Sequence, residues 1–432
     1  MREHALHLPR WRSRPRLPRA EKIASARLDV LLFSGAIAVV AVHAATDSFI
    51  TSEPGTGPSD HLLRGLATFS VLALAAVVYP RLRAGGRAAL AAVLGALALE
   101  GAGLAIADAR AAGAGGEDWT GFLLLPVGAA LLALSAALLW RTRKSGRVRY
   151  LRRAGLAVAA VLIAYSLVIP VAIAILATHR PRADVASAGL GRPHEEVTIR
   201  TSDGLDLAAW YVPSRNGAAV ISYPTRRGKL PQARMLVRHG YGVLLVDARG
   251  YDGSEGDPNL FGWASAKDID AAVAWLRSRP DVIDARVGGI GFSVGGEMML
   301  QAAASNSGLR AVVSEGAGVR SVREHLLRGP RGWFSLPEAA VETAALAVLS
   351  GTAPPPSLAS LAARVSPRPI LLIYSGQGGG GEELNPDYYR AASDPKTLWK
   401  ISEATHVGGL EARPREYEQR VTSFFDRALL GA

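Results

Sequence analysis

The 432-residue chain contains no cysteine. Disulfides, thiolate nucleophiles and cysteine-ligated zinc are therefore excluded, and covalent catalysis has to run through another side chain. Aromatic residues are sparse, at 6%. Acidic residues are scarce in one half only. Residues 1–177 hold 10 Asp and Glu against 20 Lys and Arg, whereas the remainder holds 27 against 29. The net charge of +12 thus belongs almost wholly to the first half, where basic residues flank long apolar runs. That arrangement points to a lipid bilayer as partner and not to nucleic acid.

Five stretches, near 28–46, 62–80, 88–107, 121–140 and 154–177, are apolar over the roughly 20 residues that a helix needs to cross a membrane. The leader 1–27 carries eight basic residues from Arg2 to Arg27. Arg81, Arg83 and Arg87 follow the second stretch, and seven more, from Arg141 to Arg153, follow the fourth. The intervening loops, 47–61 and 108–120, contain only Arg110. Basic loops stay cytoplasmic. The expectation is a multi-pass cell-membrane protein with a cytoplasmic N-terminus, a transmembrane domain over 28–177, a linker over 178–194 and an extracytoplasmic remainder. Glu100 is the one carboxyl inside the third stretch, and an intramembrane carboxyl is a functional-site candidate.

From residue 195 the pattern becomes strands alternating with helices. Glu195–Arg200 and Leu205–Val212, separated by Ser-Asp-Gly, read as a hairpin. Gly242-Val-Leu-Leu-Val is a continuous apolar run, as a strand buried on both faces requires. Further strands are expected at 218–223, 287–290, 309–314, 368–374 and 396–401. Helices are expected near 229–239, 264–278, after Ser293, and over 414–430. Such alternation means an α/β fold with a mostly parallel sheet and helices on both faces. Residues 319–366 interrupt it with helix-like, Pro-rich sequence that reads as a cap over one edge of the sheet.

Ser293 lies in Gly291-Phe292-Ser293-Val294-Gly295, after an apolar strand and before a helix. This is a nucleophile elbow: the glycines allow a sharp turn that lifts the serine oxygen above the sheet. Asp247-Ala-Arg-Gly-Tyr-Asp-Gly-Ser-Glu-Gly256 follows another strand, and His406 stands in Ala-Thr-His-Val-Gly-Gly after the last one. Residues 195–432 resemble an α/β-hydrolase on these motifs. Asp252 departs from the pattern, standing where the family usually has glycine.

The resemblance implies Ser293 as nucleophile and His406 as general base, in the family's order Ser, acid, His. The acid is expected after the penultimate strand, in Ser375-Gly-Gln-Gly-Gly-Gly-Gly-Glu-Glu-Leu-Asn385, which offers Glu382 or Glu383; Glu315 is a substitute at the end of the preceding strand. The oxyanion hole is expected from the backbone N–H of Val294 and of Thr225, because Pro224 has none. Arg226 and Arg227 beside it read as solvated surface or as a preference for an anionic substrate. No metal or organic cofactor is implied. The expected activity is that of a membrane-anchored serine hydrolase acting on a small-molecule or lipid-like acyl substrate, with an ester as first expectation. Peptidase, thioesterase and acyltransferase chemistry use the same machinery. A hydrolase-like binding or sensing domain without turnover is the competing class.

Overall fold

In the computed structural model, residues 19–50, 61–112, 118–143, 146–179, 182 and 185–431 are described. The leader up to residue 18, Lys144 and parts of loops 47–61 and 108–120 and of linker 178–194 lie outside them. The chain divides into two compact units within the last apolar helix, between Val161 and Leu162.

The first unit is helical: α1 (Arg19–Ala45), α2 (Leu62–Val78), α3 (Ala84–Ala112), α4 (Asp118–Thr142) and most of α5 (Arg147–Ile163). Phe33, Ile37, Tyr79, Leu131 and Leu138 form its core, with Phe33 stacked on Tyr79 at 3.7 Å between ring centroids. Asp29 at the start of the apolar part of α1 pairs with Arg141 at the end of α4, 2.6 Å apart. The outer surface is apolar: Leu31, Val71, Leu74, Leu123, Leu156 and Val158 are all exposed. Water penalises such a surface and lipid does not. Four helical segments, Arg27–Ile50, Ala84–Gly103, Thr120–Thr142 and Arg147–Thr178, are long and apolar enough to cross a membrane; Gly65–Arg81 is a shorter apolar helix. Glu100 falls near the end of its segment, on an exposed face, and not at its centre.

The second unit starts with the end of that last segment, where α5 passes through a short wider turn into α6 (Ile169–Thr178). Eight strands follow: β1 (Glu195–Arg200), β2 (Asp206–Val212), β3 (Ala219–Tyr223), β4 (Gly242–Val246), β5 (Val287–Phe292), β6 (Ala311–Glu315), β7 (Ile370–Ser375) and β8 (Lys396–Ile401). They form one sheet in the order β1-β2-β4-β3-β5-β6-β7-β8. β2 pairs antiparallel with β1 and β4, and the remaining pairs are parallel. This is the α/β-hydrolase fold.

Both faces of the sheet are covered. Val243 and Leu245 of β4 join Leu236 of α7 (Leu230–Arg238) and Tyr417, Val421 and Phe425 of α15 (Pro414–Phe425). Leu244 and Val246 join Ile269 and Val273 of α8 (Ala266–Arg277) and Met298 of α9 (Val294–Ser305) on the other face. Leu358 of α12 (Leu358–Ala363) and Tyr388 of α13 (Asn385–Ala391) complete that second face. Burial on both sides explains why the strand reads as unbroken apolar sequence. Each such side chain contributes about 2 kcal/mol.

The insertion after β6 contains α10 (Val322–Leu327) and α11 (Pro330–Ser350) before α12. Arg320, 1% exposed at its side chain, fixes the start of this cap. Its guanidinium donates to the Phe261 and Gly262 carbonyls and to Gln301, and pairs with Glu297 of α9 at 3.3 Å. Glu297 also accepts the Gly318 N–H at 3.1 Å.

Burial pushes the Glu297 carboxyl from its ordinary 4.5 up to about 7, against the opposing pull of Arg320. A folded-state pKa above the unfolded one means that the group's contribution is complete below about 4.5 and is lost as pH rises through about 7. Glu297→Gln keeps the shape without the titration. The Tm of this variant minus that of wild type, for the full chain in detergent, is expected to grow between about pH 5 and about pH 8. A gap independent of pH would show that Glu297 does not titrate there.

Candidate active site

Ser293 is the single residue between β5 and α9, and its backbone sits at φ 55° and ψ −126°. A non-glycine residue there costs about 1–3 kcal/mol and persists only when neighbours hold it. The Ser293 N–H donates to the Glu315 carbonyl at the end of β6, at 2.8 Å. Gly295 lets the first turn of α9 close on the end of β3, since a Cβ there would stand 2.4 Å from the Tyr223 carbonyl oxygen. The serine is thereby held at the carboxyl edge of the parallel strands, where open α/β sheets place ligands.

His406 reaches the same point from the loop after β8. The Ser293 hydroxyl donates to His406 Nε2 at 2.8 Å, and Nδ1–H donates to Glu382 Oε1 at 2.5 Å. The other Glu382 oxygen accepts the Ser375 N–H at 2.7 Å. Glu382 is 1% exposed, whereas the imidazole is 44% exposed. A dry carboxylate behind an open imidazole fixes the tautomer with Nε2 free to accept a proton, and stabilises the imidazolium that results.

The acid loop is tied to the base loop directly. Ser375 Oγ donates to the Thr405 carbonyl at 2.6 Å, and the Gln377 N–H to that of Ala404 at 3.1 Å. Gly378 supplies the room: a Cβ there would stand 2.1 Å from Glu382 Oε1. Gly378 therefore makes space for the Glu382 carboxylate.

Of the two adjacent glutamates the structure brings only Glu382 to the imidazole. Glu383 is half exposed and pairs with Arg328 of the cap at 2.7 Å. Glu315, the sequence-level substitute, is fully buried beneath the site. Its carboxylate accepts the Gly409 N–H at 2.9 Å and the Tyr417 hydroxyl at 2.5 Å, and burial raises its pKa. It braces the chain just beyond His406 and does not touch the ring's partner atoms, a role with no motif in the sequence to announce it.

Val294 is the first residue of α9, so its N–H has no intrahelical acceptor and is open to an incoming oxygen. Thr225 follows Pro224, which lies against Gly295. Ser222 to Thr225, Gly228, Lys229 and Phe292 line a cleft of about 430 Å³ that reaches the residue preceding Ser293. Arg226 and Arg227 are neither solvated surface nor anion ligands. Arg226 is buried, bonded through its Nε and backbone N–H to Asp247 at 2.6 and 2.7 Å. Arg227 forms a bidentate pair with Asp252 at 3.0 and 2.8 Å. Asp252 occupies φ 41°, a conformation that aspartate tolerates, which accounts for its standing where glycine is usual. Among the described residues no three His, Asp or Glu side chains stand together as a metal site.

The chain is 36% identical over 107 residues to an uncharacterized protein of Mycobacterium tuberculosis, covering 23% of this chain and 37% of that one. It is 32% identical over 130 residues to the polyketide transferase grgF of Penicillium sp, covering 28% and 44%. The chain thus spans less than half the length of either curated relative. Among solved structures, the Pyrococcus furiosus esterase Pf2001 superposes with a TM-score of 0.47 at 22% identity, over 58% of this chain and 98% of that one. Residues 176–406 match the family described as X-Pro dipeptidyl-peptidase (S15 family). That match covers more than half of the 432 residues, and the protein, a hydrolase by fold, belongs to the S15 peptidase family.

Proposed function

We propose that the protein is a membrane-anchored serine hydrolase that cleaves a carboxylic ester, its hydrolase domain lying outside the cytoplasm. The observation that carries this reading is the unbroken hydrogen-bonded chain from buried Glu382 through His406 to the strained Ser293. Ser293 Oγ attacks the acyl carbon as His406 Nε2 takes its proton. The oxyanion that forms is met by the Val294 and Thr225 N–H groups. The imidazolium returns the proton to the leaving alcohol, the C–O bond breaks, and an acyl-Ser293 ester remains. Water, deprotonated by His406, then releases the acid and restores the serine.

The S15 description favours a second reading, release of a dipeptide ending in proline. Such a substrate presents a protonated amino terminus, which a carboxylate would have to meet. The cleft reaching Phe292 has no carboxylate among its lining residues, and its one cation, Lys229, is paired with Glu411 at 3.8 Å, which favours a neutral acyl group.

A fluorophosphonate probe tests the nucleophile and the acid together. Wild type is expected to be labelled and Ser293→Ala not. Glu382→Gln is expected to slow labelling by about two orders of magnitude or more, because the amide favours the wrong imidazole tautomer. Glu383→Gln should remain within about twofold, since it loses only a half-exposed ion pair. Equal losses in the two variants would overturn the choice of acid.

Substrate and topology are tested separately. A short acyl ester is expected to be hydrolysed and an X-Pro dipeptide amide to be left intact; the reverse would establish the peptidase reading. Spheroplasts treated with a membrane-impermeant probe are expected to label at Ser293. Labelling only after lysis would place the domain on the cytoplasmic side.

A further inference from the structure

The cap helix α11 is built inside out for a helix facing water. Its exposed residues include Trp333, Phe334, Ala340, Ala344, Val348 and Leu349, with Phe334 84% and Val348 83% exposed. Trp333, Ala340, Ala344 and Val348 recur at helical spacing along one stripe, with Phe334 at its border. Glu338 and Glu342, one turn apart, are partly buried on the flank that also carries Leu349. At the N-terminal corner the apolar surface continues onto α10 through Leu326 and Leu327, both about half exposed.

What covers this stripe is indicated by what lies beside it. Leu346 of α11 packs with Ala174 and Ala177 of α6 and with Trp263. α6 is the last part of the apolar segment Arg147–Thr178, and its own Ile175 and Leu176 are exposed. A helix laid along the end of a membrane-crossing segment stands at bilayer depth. Its outward side chains then meet acyl chains and headgroups, the setting in which tryptophan is enriched. The same corner connects to the catalytic edge: Arg328, directly after Leu327, pairs with Glu383 next to Glu382.

We propose that the cap docks in the lipid bilayer through the exposed stripe of α11 and the α10–α11 corner, so that the Ser293 site draws its acyl substrate, a lipid-borne ester, from the membrane. The docking follows from the stripe and its neighbour α6, whereas the substrate class rests on the acyl-hydrolase reading above.

Absence of native cysteine allows a direct test on the full chain in proteoliposomes. An environment-sensitive fluorophore at Phe334→Cys is expected to be quenched by lipids spin-labelled on the acyl chain and shielded from aqueous iodide. The same label at Asp284→Cys, on the exposed side of the hydrolase domain, should behave oppositely. Iodide quenching at both positions would overturn the docking. Combined Trp333→Ser, Phe334→Ser and Val348→Ser is expected to lower turnover of a long-chain ester held in vesicles by about tenfold or more, while a short water-soluble ester stays within about twofold. Equal effects on the two esters would overturn the substrate class. Turnover of neither ester by wild type would overturn it together with the acyl-hydrolase reading, and the quenching pattern would still decide the docking.

Discussion

The catalytic edge depends on the end of β6, where one residue serves three elements. The Glu315 carbonyl takes the Ser293 N–H and so holds the elbow in its unfavourable backbone conformation. Its buried carboxylate holds the Gly409 N–H beyond His406 and the Tyr417 hydroxyl of the last helix. Nucleophile loop, base loop and α15 are thus referred to a single strand end, and the 2.8 Å contact between Ser293 and His406 follows from it. A carboxylate without an Arg or Lys in direct contact is expensive to bury. Here two donors offset part of that cost, and the rest appears as its raised pKa.

The neighbouring β7 loop solves a different problem. A glutamate side chain has to fit behind the imidazole, so the loop has to leave room for it. Gly378 vacates the volume that the Glu382 carboxylate fills, and the Ser375 N–H fixes its second oxygen. Sequence alone offered Glu382 and Glu383 as equals because adjacent residues carry no mark of direction. What separates them is tertiary: Arg328, delivered by the cap from 55 positions away, takes Glu383 and leaves Glu382 facing inward.

The fold was legible for physical reasons that operate locally. Strands buried on both faces read as unbroken apolar runs, as in Gly242–Val246, and the elbow carries its glycines because of contacts within a few ångströms. The charges beside Thr225 were misread because pairing across 21 and 25 residues leaves no local trace. Asp252 and Arg227 become intelligible only as a pair, in which a departure from the family pattern and an apparent surface cation account for each other. The brace at Glu315 and the Glu297–Arg320 clamp were invisible for the same reason: buried charge networks are set by long-range geometry, which periodicity does not encode.

The least expected feature is the place where the chain divides. The boundary falls inside the last apolar helix, so α6 belongs by contact to the hydrolase unit and forms a small core with the cap and Trp263. A tether that merely held an enzyme near a membrane would end before the domain began. Here the final turns of the segment form part of the domain's wall, and helix α11 of the cap rests on them. Arg320 fixes one end of that cap to α9, which follows Ser293, and Leu346 fixes α11 to α6. The end of the apolar segment and the cap therefore share one packed core, which Arg320 joins to the helix that follows Ser293.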